Sequence, residues 1–239
     1  GDPLSGEARA AARMEHSTEL LPGGEAHATK PQEYNVMQPP AGGPPGSIDT
    51  SYVCVIDADG NMFSATPSDP SADTEVIPGT GLCPSSRGSQ SRGIASSINA
   101  VAPGKRPRLT PNPALALKDG KPFMTWGTPG GDVQVQAMVQ VFLNATRFGM
   151  DMQNAVAAPR FASYSFPSSF APNDYFPGLL MMENRIDPAI GADLSTRGHK
   201  VDWWPEKTWK AGGVCAIRAD GDGMQAGADP RRAARAMGA

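Results

Sequence analysis

The chain has 239 residues, of which 39% are hydrophobic and 19% charged, with a formal net charge of -3. That length is enough to bury one core, and an acidic balance without a basic cluster excludes an electrostatic footprint for nucleic acid. No apolar run approaches the roughly 18 residues needed to span a bilayer, and the three cysteines (Cys54, Cys83, Cys215) form no CxxC pair, so neither a zinc site nor a disulfide framework is expected.

Residue 1 is Gly and no signal peptide follows it; with 27 Gly and 24 Pro, the chain fits part of a larger, loop-heavy enzyme as well as a free-standing domain. Glu7 to Glu15 could form a short helix. Beyond it, Pro39-Pro40-Ala41-Gly42-Gly43-Pro44-Pro45-Gly46 cannot hold a helix or a strand and reads as an exposed linker. Residues 1–49 are therefore taken as a linker or tail of a preceding region, and 50–239 as the ordered domain. Thr50 to Ile56 and Asn61 to Thr66 predict a hairpin turning at Asp59-Gly60. Ser68 to Ser97 is mostly loop. A second hairpin runs from Ala114 to Lys118 and from Pro122 to Trp126, around Asp119-Gly120. After Gly127-Thr128-Pro129-Gly130-Gly131, the residues Met138, Val141, Phe142, Ala145 and Phe148 fall at helical spacing, with Gly149 as the stop. Asp151 caps a short helix ended by Pro159, and Asp187-Pro188 opens another that closes at Gly198. Strands follow at Val201 to Trp204, Val214 to Arg218 and Met224 to Ala228. The order predicts an α+β fold, antiparallel sheets with helices on the outside.

Two features could carry chemistry. Thr50 sits where a linker meets a strand. A Thr hydroxyl needs an adjacent base, and its own α-amine can serve once the preceding peptide bond is cut. An accessible Pro/Gly-rich leader ending at Ile48-Asp49 would expose that bond. On position alone, Thr50 reads more readily as an ordinary strand residue. The second feature is Gly130-Gly131, ahead of a helix, where backbone N–H groups can approach a developing oxyanion. For a lone Gly-Gly pair, an ordinary strand-to-helix turn is the commoner explanation. His16, His27 and His199 lack metal-ligand spacing. Asp57, Asp59 and Asp119 are turn residues. Trp203, Trp204, Trp209, Met181 and Met182 read as packing.

The ordered set Thr50-Ser-Tyr-Val-Cys-Val-Ile-Asp-Ala-Asp-Gly-Asn61, Gly104-Lys-Arg-Pro107, Lys118-Asp-Gly120, Gly127-Thr-Pro-Gly-Gly131, Ala158-Pro-Arg-Phe161 and Ala228-Asp-Pro-Arg231 resembles the small subunit of γ-glutamyltranspeptidases, over about three-quarters of the chain. The resemblance implies an N-terminal-nucleophile hydrolase, an αββα sandwich of two antiparallel sheets between helices, completed by a large subunit from the same precursor. It implies self-cleavage before Thr50 and attack of the Thr50 hydroxyl on an amide carbonyl. The Gly130 and Gly131 N–H groups would hold the oxyanion, and the acyl group would pass to water or an amine. No metal or cofactor is needed for that chemistry. Periplasmic or secreted members are common in the family.

The departures fall in the acyl pocket, whose substrate-binding set is Ser68, Arg87, Gln90, Leu109 and Thr110. Pro70 stands where typical members carry Asn. Arg87 and Gln90 align with the Gln and Asp that grip the α-amino group, and Leu109 and Thr110 with the paired Ser residues that bind the α-carboxylate. Neutral Gln90 beside a new Arg87 removes the reason for an α-ammonium to bind, while Arg87, and less so Arg92, suits a carboxylate placed differently. Three readings stay open: a γ-glutamyl hydrolase or transferase, an acylase or amidohydrolase with another acyl group, and an unprocessed homologue without catalysis.

Overall fold

The computed structural model describes residues 35–36, 50–69, 74–93, 97, 99–221 and 223–238. The helix expected at Glu7 to Glu15, the Pro/Gly linker, His16, His27 and Pro70 lie outside the described residues.

The first described elements are β1 (Asn35–Val36), β2 (Val53–Ile56) and β3 (Met62–Ala65). β2 and β3 form the expected antiparallel hairpin, with Ile56 opposite Met62. The Asp57 carboxylate closes its turn by accepting from the Asn61 backbone and side-chain N–H groups, both at 2.8 Å. β4 (Ala114–Lys118) and β5 (Lys121–Gly127) form the second hairpin. Its two-residue loop has positive φ at both Asp119 (52°) and Gly120 (74°), the type I′ geometry whose twist matches the strands it joins.

α1 (Gln134–Thr146) and α2 (Met152–Ala157) follow. α1 buries Ala137, Met138, Val141 and Ala145, at helical spacing. It ends before Phe148, which is 68% exposed and so leaves the expected apolar stripe. The Asp151 side chain caps α2 by accepting from the Asn154 N–H at 2.9 Å.

The remaining elements are β6 (Phe161–Ser163), β7 (Asp174–Tyr175), β8 (Leu179–Glu183), α3 (Pro188–Thr196), β9 (Lys200–Trp204), β10 (Cys215–Asp220) and β11 (Gly223–Gly227). β11, β10, β5 and β4 make a four-stranded antiparallel sheet in that order. Side-chain alternation along β5 sorts its two faces. Met124 joins the helix-side core with Ala137, Val141 and Ala216, and Trp126 stacks on Phe142 of α1 at 5.2 Å between ring centroids. On the opposite face, Thr125 bonds the Phe63 carbonyl of the β2–β3 hairpin at 3.3 Å. Helices, sheet and hairpin thus form three successive layers.

A second sheet, β6–β8–β9, departs from the expected antiparallel rule. β8 and β9 are parallel because α3 crosses between them, which a tight turn cannot do. β8 was not expected as a strand. Its Leu-Leu-Met-Met-Glu run is buried throughout, so it shows no alternation. Met181 and Met182 are core, as expected, and β1 pairs in parallel with β7.

A buried charge network joins this sheet to the C-terminal segment. Glu183 accepts from Arg231 (2.6 and 2.8 Å), from Arg185 (2.7 Å) and from the Arg160 backbone N–H (3.0 Å). Asp229 takes Arg160 and Arg231, and also the Val214 N–H at 2.8 Å. This is where Ala158-Pro-Arg-Phe161 and Ala228-Asp-Pro-Arg231 meet. Burial alone would raise the Glu183 carboxyl, but the Arg231 hydrogen bonds and charge outweigh it and hold the group below its ordinary 4.5. A depressed carboxylate contributes stability above that value and loses it as pH falls below it. Glu183→Gln is expected to cost about 3–5 kcal/mol at pH 7, since it removes one of the two carboxylates that balance the buried Arg160 and Arg231. It should also flatten the fall in stability below about pH 4.5; urea denaturation across pH 3–8 measures both.

Candidate active site

Thr50 opens the hairpin and is 5% exposed. It forms a single antiparallel bridge with Ser68, and the Ser51 N–H donates to the Pro67 carbonyl at 3.0 Å. These contacts bring the Thr50 and Ser68 hydroxyl oxygens to 2.7 Å. From Ser68 the network runs on into the loop that follows. Arg87 donates to the Ser68 carbonyl from Nε at 3.1 Å, to the Ser68 hydroxyl from Nη2, and to Thr110 Oγ1 from Nη1 at 2.9 Å. Gln90 donates to the same Thr110 hydroxyl at 3.1 Å and accepts from the Thr110 N–H at 3.3 Å. Thr50, Ser68, Arg87, Gln90 and Thr110 are thus one connected cluster. Leu109 is half exposed and stands next to the cluster without a polar atom to join it. Arg92 donates to the Ser168 carbonyl at 3.1 Å.

Gly130 and Gly131 lie on the turn between β5 and α1, with φ of 131° and 56°. That backbone region is costly for residues with a Cβ. Among the described residues neither N–H donates to a protein acceptor. Thr128 braces the turn from below: its hydroxyl donates to the Pro129 carbonyl at 2.6 Å and accepts from the Gly213 N–H at 2.7 Å. Thr50 and Pro129 open onto the same groove of about 700 Å³, walled also by the rest of β2, by β10 and by residues 232–237.

Several contributors were not singled out from the sequence. Gln134, fully buried, joins the two halves of the site when its amide nitrogen faces the Thr110 and Thr128 carbonyls, each at 3.0 Å. A signal was present: Gln134 falls on the same helical face as Met138, Val141 and Ala145, a polar residue at a core position. Asp132, beside Gly131, accepts from Arg108 at 3.2 Å and from both the N–H and the hydroxyl of Ser169. That anchors the loop carrying Phe170, whose ring centre lies 5.6 Å from the Arg87 guanidinium carbon. Tyr52 lies across Gly127, where an added Cβ would come within 2.2 Å of the ring, and its hydroxyl is 2.7 Å from Ser64 Oγ.

Cys54 and Cys215 also line the groove. Burial pushes the Cys54 thiol up to about 11 and raises Cys215 as well, so both stay protonated and weakly nucleophilic. Among the described residues no group of His, Cys, Asp and Glu gathers to hold a metal ion, and no helix is long and apolar enough to cross a membrane.

The family model for gamma-glutamyltranspeptidase matches residues 9–239. The chain belongs to the γ-glutamyltranspeptidase family. It is 31% identical over 210 residues to the glutathione hydrolase-like YwrD proenzyme of Bacillus subtilis (strain 168), covering 87% of this chain and 39% of that one. It is 32% identical over 203 residues to the oxamate amidohydrolase proenzyme of Klebsiella pneumoniae subsp. pneumoniae, covering 83% and 37%. The solved structure of LmbA2991HD superposes with a TM-score of 0.73 at 36% identity, covering 95% of this chain and 41% of that one. Matching relatives include glutathione hydrolases, acylases and an amidohydrolase. The chain spans well under half the length of these longer proenzymes. The α+β N-terminal-nucleophile hydrolase fold expected for the family is the one observed.

The Tyr52–Gly127 contact admits no side chain. Gly127→Ala is expected to destabilise the fold by about 1–3 kcal/mol through overpacking. Tyr52→Leu in that background should recover part of the loss, so that the double mutant costs less than the sum of the two singles in urea denaturation.

Proposed function

We propose that Thr50 is the nucleophile of an amide hydrolase or acyl transferase that releases its own amine by cleaving the Asp49–Thr50 bond. The observation that carries this reading is the hydroxyl pair, Thr50 Oγ1 to Ser68 Oγ at 2.7 Å, with Thr50 on a groove that Pro129, the residue before Gly130-Gly131, also lines. Ser68 orients the Thr50 oxygen, and the freed α-amine takes its proton as Thr50 attacks the amide carbonyl. The Gly130 and Gly131 N–H groups stabilise the oxygen of the tetrahedral intermediate. The amine leaving group takes up the proton, and the acyl group stays on Thr50 as an ester. Water or a second amine then attacks that ester and regenerates the hydroxyl.

A large subunit from the same precursor completes the enzyme in this reading. Val53, Val55 and Phe63 expose one face of the hairpin, and Val135, Val139 and Leu143 expose a stripe on α1. Such contiguous apolar surface is what a partner covers. The acyl group is not γ-glutamyl, because the positions aligned with α-amino recognition hold Arg87 and Gln90, and neither offers a carboxylate to an ammonium.

The test uses the full-length precursor. On incubation, Edman sequencing should find a fragment beginning Thr-Ser-Tyr. Thr50→Ala should abolish that fragment and lower amide turnover by a factor of about 10³ or more, and Thr50→Ser should retain both at reduced rates. Processing that survives in Thr50→Ala would assign the nucleophile elsewhere. An intact chain that stays inert would leave a homologue without catalysis.

A further inference from the structure

Arg87 is the one charged member of the cluster around Thr50, and its partners are all neutral: the Ser68 carbonyl, the Ser68 hydroxyl and the Thr110 hydroxyl. A guanidinium has five N–H donors. Three are used, which leaves one on each terminal nitrogen, the pair that grips a carboxylate. Among the described residues no Asp or Glu pairs with Arg87. Asp132, the acid of the adjoining turn, is taken by Arg108 and Ser169. The guanidinium also cannot swing freely, since three hydrogen bonds and the Phe170 ring at 5.6 Å hold it. It is a fixed cation with two donors to spare.

Its distance from the nucleophile sets the ligand. The Ser68 hydroxyl touches both Thr50 Oγ1 and Arg87 Nη2. Two hydrogen bonds in series put Arg87 Nη2 within about 5–6 Å of the attacking oxygen. A carbonyl carbon under attack stands about 3–3.5 Å from that oxygen. A carboxylate joined to this carbonyl directly, or through one or two methylenes, spans the remaining gap. A γ-glutamyl group carries its carboxylate one carbon further out and brings an ammonium toward Arg87, where like charges repel.

We propose that the acyl pocket selects the monoamides of short dicarboxylic acids, oxalyl to succinyl, with Arg87 binding the free carboxylate. This deepens the reading above and rests on Thr50 being the nucleophile. Arg87 is then a specificity residue, and Phe170 and the Asp132–Ser169 tether hold it in position.

The test compares p-nitroanilides on the processed full-length protein: malonyl and succinyl against glutaryl, γ-glutamyl and neutral butyryl. A succinyl or malonyl kcat/KM about 100-fold above butyryl, falling off at glutaryl, is the expected result. Arg87→Gln should bring the anion-to-neutral ratio close to one, and Arg87→Lys should keep part of it. A merely structural Arg87 would lower all rates in parallel and leave the ratio unchanged, which overturns the proposal, as does a wild-type ratio near one. Intact-mass detection of an acyl adduct on the Thr50 fragment is read separately. An adduct without anionic preference overturns the pocket assignment alone, whereas no adduct from any anilide overturns the Thr50 reading with it.

Discussion

The Tyr52 ring lies where any side chain at residue 127 would have to go. That single close approach seats the β2–β3 hairpin on the four-stranded sheet, with Thr125 adding a hydrogen bond from the same face. Thr50 is two residues before Tyr52, and the Thr128-Pro129-Gly130-Gly131 turn begins immediately after Gly127. The contact therefore sets the spacing between a hydroxyl at the start of one strand and the backbone donors at the end of another. Moving the hairpin by one residue would turn Tyr52 to the other face and take Thr50 out of the groove.

Arginine serves two opposite ends in this molecule. Arg160 and Arg231 are buried and matched by Asp229 and Glu183. A buried charge is tolerated only when it is paired and hydrogen-bonded, and this network fastens β8 to the chain's last segment. Arg87 is held as firmly but by neutral oxygens, so its charge is positioned without being cancelled. That difference separates an arginine that stabilises a fold from one that can recognise an anion.

The two halves of the site are tied together by groups that carry no reactivity. Gln134 spans from Thr110 to Thr128, and Asp132 holds the loop whose Phe170 packs on Arg87. Each is fully or mostly buried, and each leaves several hydrogen-bonding groups satisfied by one side chain. A site framed in this way has its geometry fixed by buried hydrogen bonds that do not depend on a ligand.

Local structure was legible from local chemistry. Asp57 and Asn61 close a turn, Asp119-Gly120 sets a type I′ loop, and Asp151 and Asp187 cap helices, because each signal acts within a few residues of itself. The ordered motifs also marked Thr50 and Gly130-Gly131 and placed the chain in its family. The sequence alone did not reveal β8 as a strand, since full burial erases alternation. Nor did it reveal the parallel β8–β9 pair, which follows from a crossover and not from either strand's composition. The family resemblance grouped Ser68, Arg87, Gln90 and Thr110 in one pocket, but it did not show which of them would bond to Thr50 or to one another. Ser68 is 18 residues from Thr50, and Arg87 and Thr110 are 23 apart. Loops with no periodicity join them, so tertiary packing alone decided the hydrogen bonds by which the two hydroxyls and the guanidinium meet.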